Sequence, residues 1–495
     1  MTRAVTAMAS VLALIAIIGC GGGGGEVVLP AQRYLPLEEG NWWRYQVTDY
    51  TVEQAGAGAG KTSKLVDRIL ELVRHGVAIE AIAAITFTEK AAADLRRRLR
   101  ESLLDPDNEH DCADRQRFDA ALDALDLAPI GTLHAFARRL LTEFPVQAGL
   151  PPGFDVLDEL ESNLAFEERW DDLLEALLAD PDPAEGPIAG GATFVQLCEL
   201  EDFGLTKSFR RVAVDFHENW DLVQQRVDRT PPDPWEPDVA GLASAAEAVC
   251  GVDVPPGDRQ EHCLAKLAEH VAKLRQATTM IDRLRAAVAI EQLLKNPNRT
   301  GSKANWKRYS SEAALDDLRQ REVEIRDTAE AIVIAAHDYR RSLVGAVLGR
   351  WVLEAAEQRA ADGTVEFHDL LVLARRLVAT RPEARAILHD RYQRLLLDEF
   401  QDTDPIQLEI AVRLTAAPDA PEQDGDWTAL RPLPGRLFIV GDPKQSIYRF
   451  RRADIAQYLR SADLIGADRE VLRANFRSSE PVIAWVNHVF GNLIE

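Results

Sequence analysis

Two carboxylates follow an apolar run near residue 397 of this chain. Residues 395–397 are three leucines, as expected for a parallel strand covered on both faces, and Asp398 and Glu399 come directly after them. In open α/β sheets the chemistry sits at the carboxyl ends of strands. A carboxylate there can hold hydrated Mg²⁺, and a second one can orient or deprotonate a water molecule. Taken alone, the pair could also be an acidic turn after a core strand, which is the weaker of the two interpretations.

A glycine-rich segment upstream supplies the other half of a nucleotide site. Glycine amides can surround a phosphate, and the start of the following helix adds a positive dipole end. The lysine of such a segment reaches the β- and γ-phosphates, and the next hydroxyl can ligate Mg²⁺. The pattern G-x-x-x-x-G-K-[ST] begins with Gly, whereas this chain has Ala there, and a flexible linker is the alternative. The candidate phosphate-binding residues are Ala55, Gly56, Ala57, Gly58, Ala59, Gly60, Lys61, Thr62 and Ser63.

Further loops combine basic and aromatic residues. Phe87 follows an apolar run and precedes a basic helical segment at 89–100, a combination suited to single strands, although a core position for Phe87 is also possible. The segment 441–452 follows another apolar run and mixes Lys and Arg with two aromatic rings. Within it, Gln445 is a neutral group able to contact a γ-phosphate or its attacking water. Arg477 is either a surface arginine or a candidate arginine finger.

Composition bounds the class of protein. A chain of 495 residues is expected to contain several domains. The five cysteines have no CxxC spacing, which favours a reducing compartment over a metal site. The net charge of −23 is unfavourable for nucleic-acid binding, but residues 151–260 alone hold 25 acidic and 7 basic residues. A positive cleft elsewhere therefore remains compatible with the total, since binding depends on the local field.

Six segments in this order resemble the motifs of UvrD/Rep-type superfamily 1 DNA helicases, and most closely the branch that contains RecB and AddA. The segments are 55–62, 86–92, 131–136, 397–407, 440–454 and 475–479. For the nucleotide site, the resemblance implies that Lys61 and Thr62 bind phosphate and Mg²⁺. It implies that Asp398 holds Mg²⁺, that Glu399 activates water, and that Arg477 stabilises charge in the transition state.

For DNA, the same resemblance implies that Gln445 couples the γ-phosphate to the strand. Four residues are implied as contacts with single-stranded DNA: Phe87, His134, Tyr448 and Phe450. Many relatives have Trp at the position of Phe450, so weaker base stacking is expected there. The implied cofactors are ATP and Mg²⁺.

The resemblance predicts an α/β fold, a RecA-like P-loop parallel sheet interrupted by a large and mostly helical insertion. Only the start of a second RecA-like domain is expected. The predicted divisions are 1–25 as a signal-like segment, 26–50 as a short β-like foreign segment, 51–105 with 391–465 as the first RecA-like domain, 106–390 as the insertion and 466–495 as the start of the second domain.

The first residues conflict with the rest of the chain. Arg3, an apolar run at 4–18 and a lipobox-like sequence ending at Cys20 are typical of a lipoprotein leader, with Cys20 as the lipidation site. ATP and chromosomal DNA are cytoplasmic, and a cytoplasmic location is the expectation from the motifs. Three explanations stay open: an artificial join of two reading frames, a natural fusion that stays cytoplasmic, and a genuinely exported protein.

The expected function is the motor portion of an ATP-dependent 3′ to 5′ DNA helicase, within a helicase-nuclease of DNA repair and recombination. Its expected partners are single-stranded and duplex DNA and a second helicase-nuclease subunit, with a membrane as a partner if the leader is genuine. Two other functions stay open. One is a P-loop ATPase that does not translocate, and the other is a lipid-anchored envelope protein with a vestigial helicase body.

Overall fold

The fold is that of a computed structural model. It describes residues 51–55, 61–108, 112–179, 205–296, 301–402, 404–420, 426–442, 445, 468–472, 481–482, 484–485 and 488–489. The predicted signal-like and foreign segments, at 1–25 and 26–50, lie outside these residues. None of the described helices is both long and apolar enough to cross a membrane.

The described strands form a six-stranded parallel sheet with strand order β3-β2-β6-β7-β1-β8. Two further short strands, β4 and β5, pair in a separate parallel sheet. The strands are β1 (Thr51–Ala55), β2 (Ile82–Thr86), β3 (Ile130–Thr132), β4 (Asp155–Val156), β5 (Thr364–Val365), β6 (Arg394–Leu397), β7 (Leu437–Gly441) and β8 (Asp468–Leu472).

Sixteen α-helices are present among the described residues. They are α1 (Lys61–Arg74), α2 (Glu89–Leu104), α3 (Cys112–Ala124), α4 (Leu133–Glu143), α5 (Pro145–Ala148), α6 (Glu159–Ala179), α7 (Leu205–Glu218), α8 (Trp220–Arg226), α9 (Ala240–Cys250), α10 (Arg259–Gln276), α11 (Met280–Leu293), α12 (Lys303–Tyr309), α13 (Glu312–Asp362), α14 (Phe367–Thr380), α15 (Pro382–Arg391) and α16 (Pro405–Thr415).

The central strands read as apolar runs because both of their faces are covered. All five residues of β2 and of β7 are buried, as are the three leucines that end β6. Helix α1 is amphipathic and buries six apolar side chains, among them Leu65 and Ile69, which belong to the same apolar core as Leu396 of β6 and Val440 of β7. This core holds the start of α1 close to the sheet.

Parallel pairing in register brings the ends of the strands to one edge. Ile85 of β2 is opposite Leu397 of β6, which is opposite Ile439 of β7, and Gln54 of β1 is opposite Gly441. The residues that follow β1, β2, β6 and β7 therefore emerge side by side. We call this side of the sheet the carboxyl edge.

Two helices begin directly at the carboxyl edge because threonines cap them. The Thr88 hydroxyl accepts a hydrogen bond from the Ala91 amide (3.1 Å) and starts α2, two residues after β2 ends. The Thr132 hydroxyl accepts from the Ala135 amide (3.3 Å) and starts α4. Thr132 also donates to the Glu89 carboxylate (2.8 Å), so the loops after β2 and β3 are tied together.

The chain divides into two compact units. The helical unit is Glu161–Glu357, and the sheet unit contains the described residues of Gly25–Leu160 and Gln358–Glu495. The insertion is therefore shorter than the predicted 106–390, because β3 and the helices around it belong to the sheet unit. The predicted start of a second domain at 466–495 also differs, because β8 pairs with β1 as the edge strand of the first sheet.

The described part of the helical unit contains helices and loops without a strand. Its longest helix, α13, runs through Gly345 and Gly349, although glycine costs about 1 kcal/mol in a helix relative to alanine. The reason is a close approach, since a Cβ on Gly345 would lie 2.9 Å from the backbone oxygen of Asp228. An aromatic group that includes Phe166, Trp170 and Trp351 packs in the same unit.

Candidate nucleotide site at the carboxyl edge

An ion pair joins the two predicted halves of the site. The Lys61 ammonium, in the first turn of α1, donates to Oε2 of Glu399 at 2.5 Å, across 338 residues of sequence. The Lys61 side chain is only 10% exposed, and that of Glu399 is 35% exposed. The apolar face of α1 fixes the lysine against the sheet, while the end of β6 fixes the carboxylate. The structure thus brings together the lysine and the glutamate that the sequence assigned to one site.

The backbone at Glu399 is held in an unusual conformation. Its φ angle is +49°, and among the described residues it is the sole non-glycine residue with a positive φ. This left-handed conformation costs roughly 1 to 3 kcal/mol in a non-glycine residue, and such residues cluster at functional sites. The turn is closed by the Asp402 amide, which donates to the Glu399 carbonyl at 2.9 Å. The side chain is thereby directed to Lys61 instead of continuing the line of the strand.

Asp398 is a buried carboxylate at the last position before this turn. Its backbone amide donates to the Ile85 carbonyl of β2 (2.8 Å), and its Oδ1 accepts from the Glu399 amide (2.9 Å). Burial and the adjacent carboxylate of Glu399 raise the pKa of Asp398 to about 6, although the Glu399 amide and Lys61 act in the opposite direction. A raised pKa means that the protein itself does not fully compensate the negative charge, which is the situation that suits a divalent cation.

A glutamine that the sequence did not single out connects this turn to β7. Gln401 is buried and donates from Nε2 to Oε2 of Glu399 at 2.8 Å. Its Oε1 accepts from the amide of Asp442, the residue after β7, at 2.7 Å. The Asp442 carboxylate accepts from Nε2 of the predicted site residue Gln445 at 2.8 Å. Gln445 is thus linked to Glu399 through two intervening residues.

The predicted DNA contacts among the described residues lie on the loops after β2 and β3. Phe87 is half-buried between β2 and α2. His134 is half-buried in the first turn of α4, where its ring meets that of Phe367 edge to face at 5.5 Å. Burial and the nearby His368 lower the pKa of His134 to about 4, so the imidazole is neutral at pH 7. Phe367 is more than half exposed beside it.

The remaining predicted site residues are partly outside the described chain. Ala55 ends β1, Thr62 is half-buried and Ser63 is exposed in the first turn of α1. Outside the described residues lie Cys20, Gly56, Ala57, Gly58, Ala59, Gly60, Tyr448, Phe450 and Arg477.

The donor set fits a magnesium nucleotide. Lys61 provides a cation at a helix start, where backbone amides and the helix dipole already favour an anion. The hydroxyl of Thr62 and the carboxylate of Asp398 are oxygen ligands of the kind that Mg²⁺ prefers. A parallel sheet with such a set at its carboxyl edge defines the P-loop class of nucleotide-binding domains.

Comparison with known proteins places the chain more narrowly. Residues 45–200 and 260–465 match the family described as the UvrD/REP helicase N-terminal domain. Because these ranges make up most of the chain, it belongs to this family. The predicted RecA-like α/β fold and the predicted UvrD/Rep relationship are both confirmed.

Relatives across most of the chain are named as the A subunit of an ATP-dependent helicase/nuclease. Those of Ligilactobacillus salivarius, Levilactobacillus brevis and Moorella thermoacetica are 26%, 28% and 29% identical over 89%, 91% and 88% of this chain. The matches cover 37%, 38% and 33% of those proteins, so this chain spans little more than a third of their length. The predicted AddA-like branch is confirmed by these relatives.

Proposed function

We propose that this chain carries the ATPase motor of a DNA helicase, which couples ATP hydrolysis to 3′ to 5′ movement on single-stranded DNA. The observation that carries the proposal is the 2.5 Å ion pair between Lys61 and Glu399. It brings a phosphate-binding lysine within reach of a water-activating carboxylate, and both lie at the edge where α/β proteins bind nucleotides. The family match supports the choice of a DNA helicase over other P-loop ATPases.

Each residue has a role in this proposal. Lys61 exchanges the Glu399 carboxylate for the β- and γ-phosphates, and Thr62 and Asp398 hold Mg²⁺, which when bound neutralises charge on the phosphate oxygens. Glu399, released from Lys61, orients and deprotonates the attacking water. Gln445 and Arg477 act on the γ-phosphate side, while Phe87, His134, Tyr448 and Phe450 contact the strand. These roles carry over from the resemblance of the sequence to the family.

The biological setting follows from the relatives. By their name, those proteins are each one subunit of an ATP-dependent helicase/nuclease. We therefore propose that this chain has a second protein subunit for a partner. We further propose a role in DNA repair and recombination, duplex DNA as the substrate that the motor unwinds, and a cytoplasmic location.

Lys61 and Lys64 offer a matched test of the site. We expect Lys61→Ala to weaken the binding of an ATP analogue by about 100-fold or more, because a buried charge-assisted contact to phosphate is lost. Lys64 lies one turn further along α1, half exposed and paired with Asp67 at 3.8 Å, and Lys64→Ala should bind the analogue like the wild type. Equal affinity in Lys61→Ala and the wild type would reject the assigned site.

Hydrolysis of ATP with and without oligo(dT) tests the motor. The expected result is turnover that rises several-fold when the single strand is added. A protein block attached to one end of the strand should be displaced only when the motor moves in the 3′ to 5′ direction. Turnover that does not respond to DNA would favour an ATPase that does not translocate. Movement in the 5′ to 3′ direction would refute the proposed polarity alone.

A further inference from the structure

Gln401 makes hydrogen bonds whose chemistry fixes the orientation of its amide, and its Nε2 also donates to Oδ2 of Asp402 at 3.2 Å. A carboxylate accepts and a backbone N–H donates, so Nε2 must face Glu399 (2.8 Å) and Oε1 must face the amide of Asp442 (2.7 Å). The side chain is 2% exposed, and Asp442 is 3% exposed. Hydrogen bonds in such a dry environment are strong and directional. The amide therefore acts as a link of fixed length between the turn after β6 and the end of β7.

The sheet places the two ends of this link on neighbouring strands. Leu397 and Ile439 are register partners in β6 and β7, so the residues that follow each strand emerge next to each other. Gln401 itself lies in the short 3₁₀ turn Phe400–Asp402, directly after Glu399. A shift of the backbone at Asp442 therefore moves the Gln401 amide, whose Nε2 donates to the Glu399 carboxylate.

The same oxygen of Glu399 accepts from both Lys61 and Gln401. When Lys61 turns to a phosphate, Gln401 remains as a donor that holds the carboxylate. Asp442 in turn accepts from Gln445, so the link extends into the segment after β7. The chain of contacts thus runs from the phosphate lysine to the segment assigned to the single strand.

We propose that Gln401 is a positioning residue that couples the orientation of the Glu399 carboxylate to Asp442 and Gln445. When binding of single-stranded DNA displaces Asp442, Gln401 transmits the displacement to the carboxylate that activates water. This inference rests on the proposed function. It adds the physical connection through which DNA raises the rate of hydrolysis.

The alternative is that Gln401 merely satisfies a buried backbone amide. A purely structural role predicts lower stability with an unchanged response to DNA, whereas a coupling role predicts a lost response with unchanged binding. The test is therefore the stimulation factor, which is the ratio of ATP turnover at saturating ATP with and without oligo(dT). We expect Gln401→Leu to lower this factor from several-fold to close to 1, because the Glu399 carboxylate no longer follows the position of Asp442.

Two affinity measurements and one control variant accompany the factor. The affinity of Gln401→Leu for an ATP analogue and for oligo(dT) should each stay within about twofold of the wild type, because neither ligand touches Gln401. Gln407→Leu is the matched control. Gln407 is also buried, on α16 of the same unit, and it is not among the candidate nucleotide or DNA contacts. It should retain the full stimulation factor.

A second variant covers the case in which Gln401→Leu does not fold. Gln401→Glu keeps the length of the side chain and an acceptor for the Asp442 amide, but it places a carboxylate where a donor faced Glu399. Its stimulation factor should also fall close to 1. A folded variant of either kind that keeps the wild-type factor would overturn the inference. A wild type that DNA does not stimulate would instead overturn the proposed function, and the inference with it.

Discussion

Two buried aspartates, one in each unit, differ in how their charge is satisfied. Asp258 in the helical unit is 4% exposed and caps α10. Burial alone raises its pKa, but the hydrogen bonds it receives outweigh burial and lower the pKa below the ordinary value. Its donors are the amides of Gln260 and Ser302 and the side chain of Asn305, each at 3.1 Å.

Asp398 in the sheet unit is buried to a similar degree, at 7% exposure, but its pKa is raised to about 6. It accepts from the Glu399 amide, but the adjacent Glu399 carboxylate and burial outweigh that hydrogen bond. The direction of the pKa shift therefore distinguishes a carboxylate with a structural role from one that belongs to a ligand-binding site. The fold satisfies the charge of Asp258 by itself, whereas the charge of Asp398 is left for a ligand to satisfy.

The largest expected effect concerns the carboxylate next to Asp398. Glu399→Gln should lower ATP turnover by about 10² to 10⁴-fold, because an amide cannot take the proton of water. Affinity for ATP should remain, since Lys61 and Thr62 are intact. Steady-state turnover and equilibrium binding together measure both. Glu71→Gln, on the exposed face of α1, is the control, and equal losses in the two variants would contradict the assignment.

Removing the Asp258 carboxylate should lower the stability of the protein without affecting the candidate nucleotide site. Asp258→Ala leaves the buried amide of Gln260 and the part-buried donors of Ser302 and Asn305 without their acceptor, and we expect a loss of about 1 to 3 kcal/mol in the free energy of unfolding. Affinity for an ATP analogue should not change, because Asp258 belongs to the helical unit. Urea denaturation followed by circular dichroism measures the first quantity and titration with the analogue the second. Loss of nucleotide affinity in the folded variant would contradict the purely structural role of Asp258.

Neutralising Asp398 should have the opposite effect on the free energy of unfolding. Asp398→Asn keeps an oxygen for the Glu399 amide and removes a buried charge, so we expect unfolding to become harder by about 1 to 3 kcal/mol at pH 7 with metal chelated. Binding of an ATP analogue should lose its dependence on Mg²⁺. A less stable Asp398→Asn variant under the same conditions would show that Asp398, like Asp258, is structural.

The residues of the candidate nucleotide site could be picked out from the sequence because each part of it is local. Each part can be recognised within ten residues. Three leucines followed by Asp398 and Glu399 indicate a strand with carboxylates at its end, and glycines followed by Lys61 indicate a phosphate-binding loop. The order of such segments then identified the family. Packing of a strand on both faces leaves a continuous apolar run, which is why β2, β6 and β7 were recognisable.

The features that were missed depend on contacts distant in sequence. Strand β3 has only three residues between helices, so 106–390 read as one insertion. Nothing local in the sequence shows that helix α13 continues through Gly345, because the reason for that glycine is the close backbone oxygen of Asp228. Gln401 stood within the acidic string, but its role depends on Asp442, which is adjacent only once β6 and β7 pair.

The smallest predicted effect uses a third titratable group, the half-buried His134. Its pKa is about 4 in the folded protein and about 6.5 in the unfolded chain, so between these values only the unfolded state gains the proton. The wild type should therefore lose stability relative to His134→Gln as the pH falls from 7 to 5, by at most about 2 kcal/mol. Protonation of Asp398 occurs in both proteins and cancels in the difference. A difference in unfolding free energy that stays constant over this range would mean that the His134 imidazole is accessible to water and protons, as a solvent-facing contact for DNA would be.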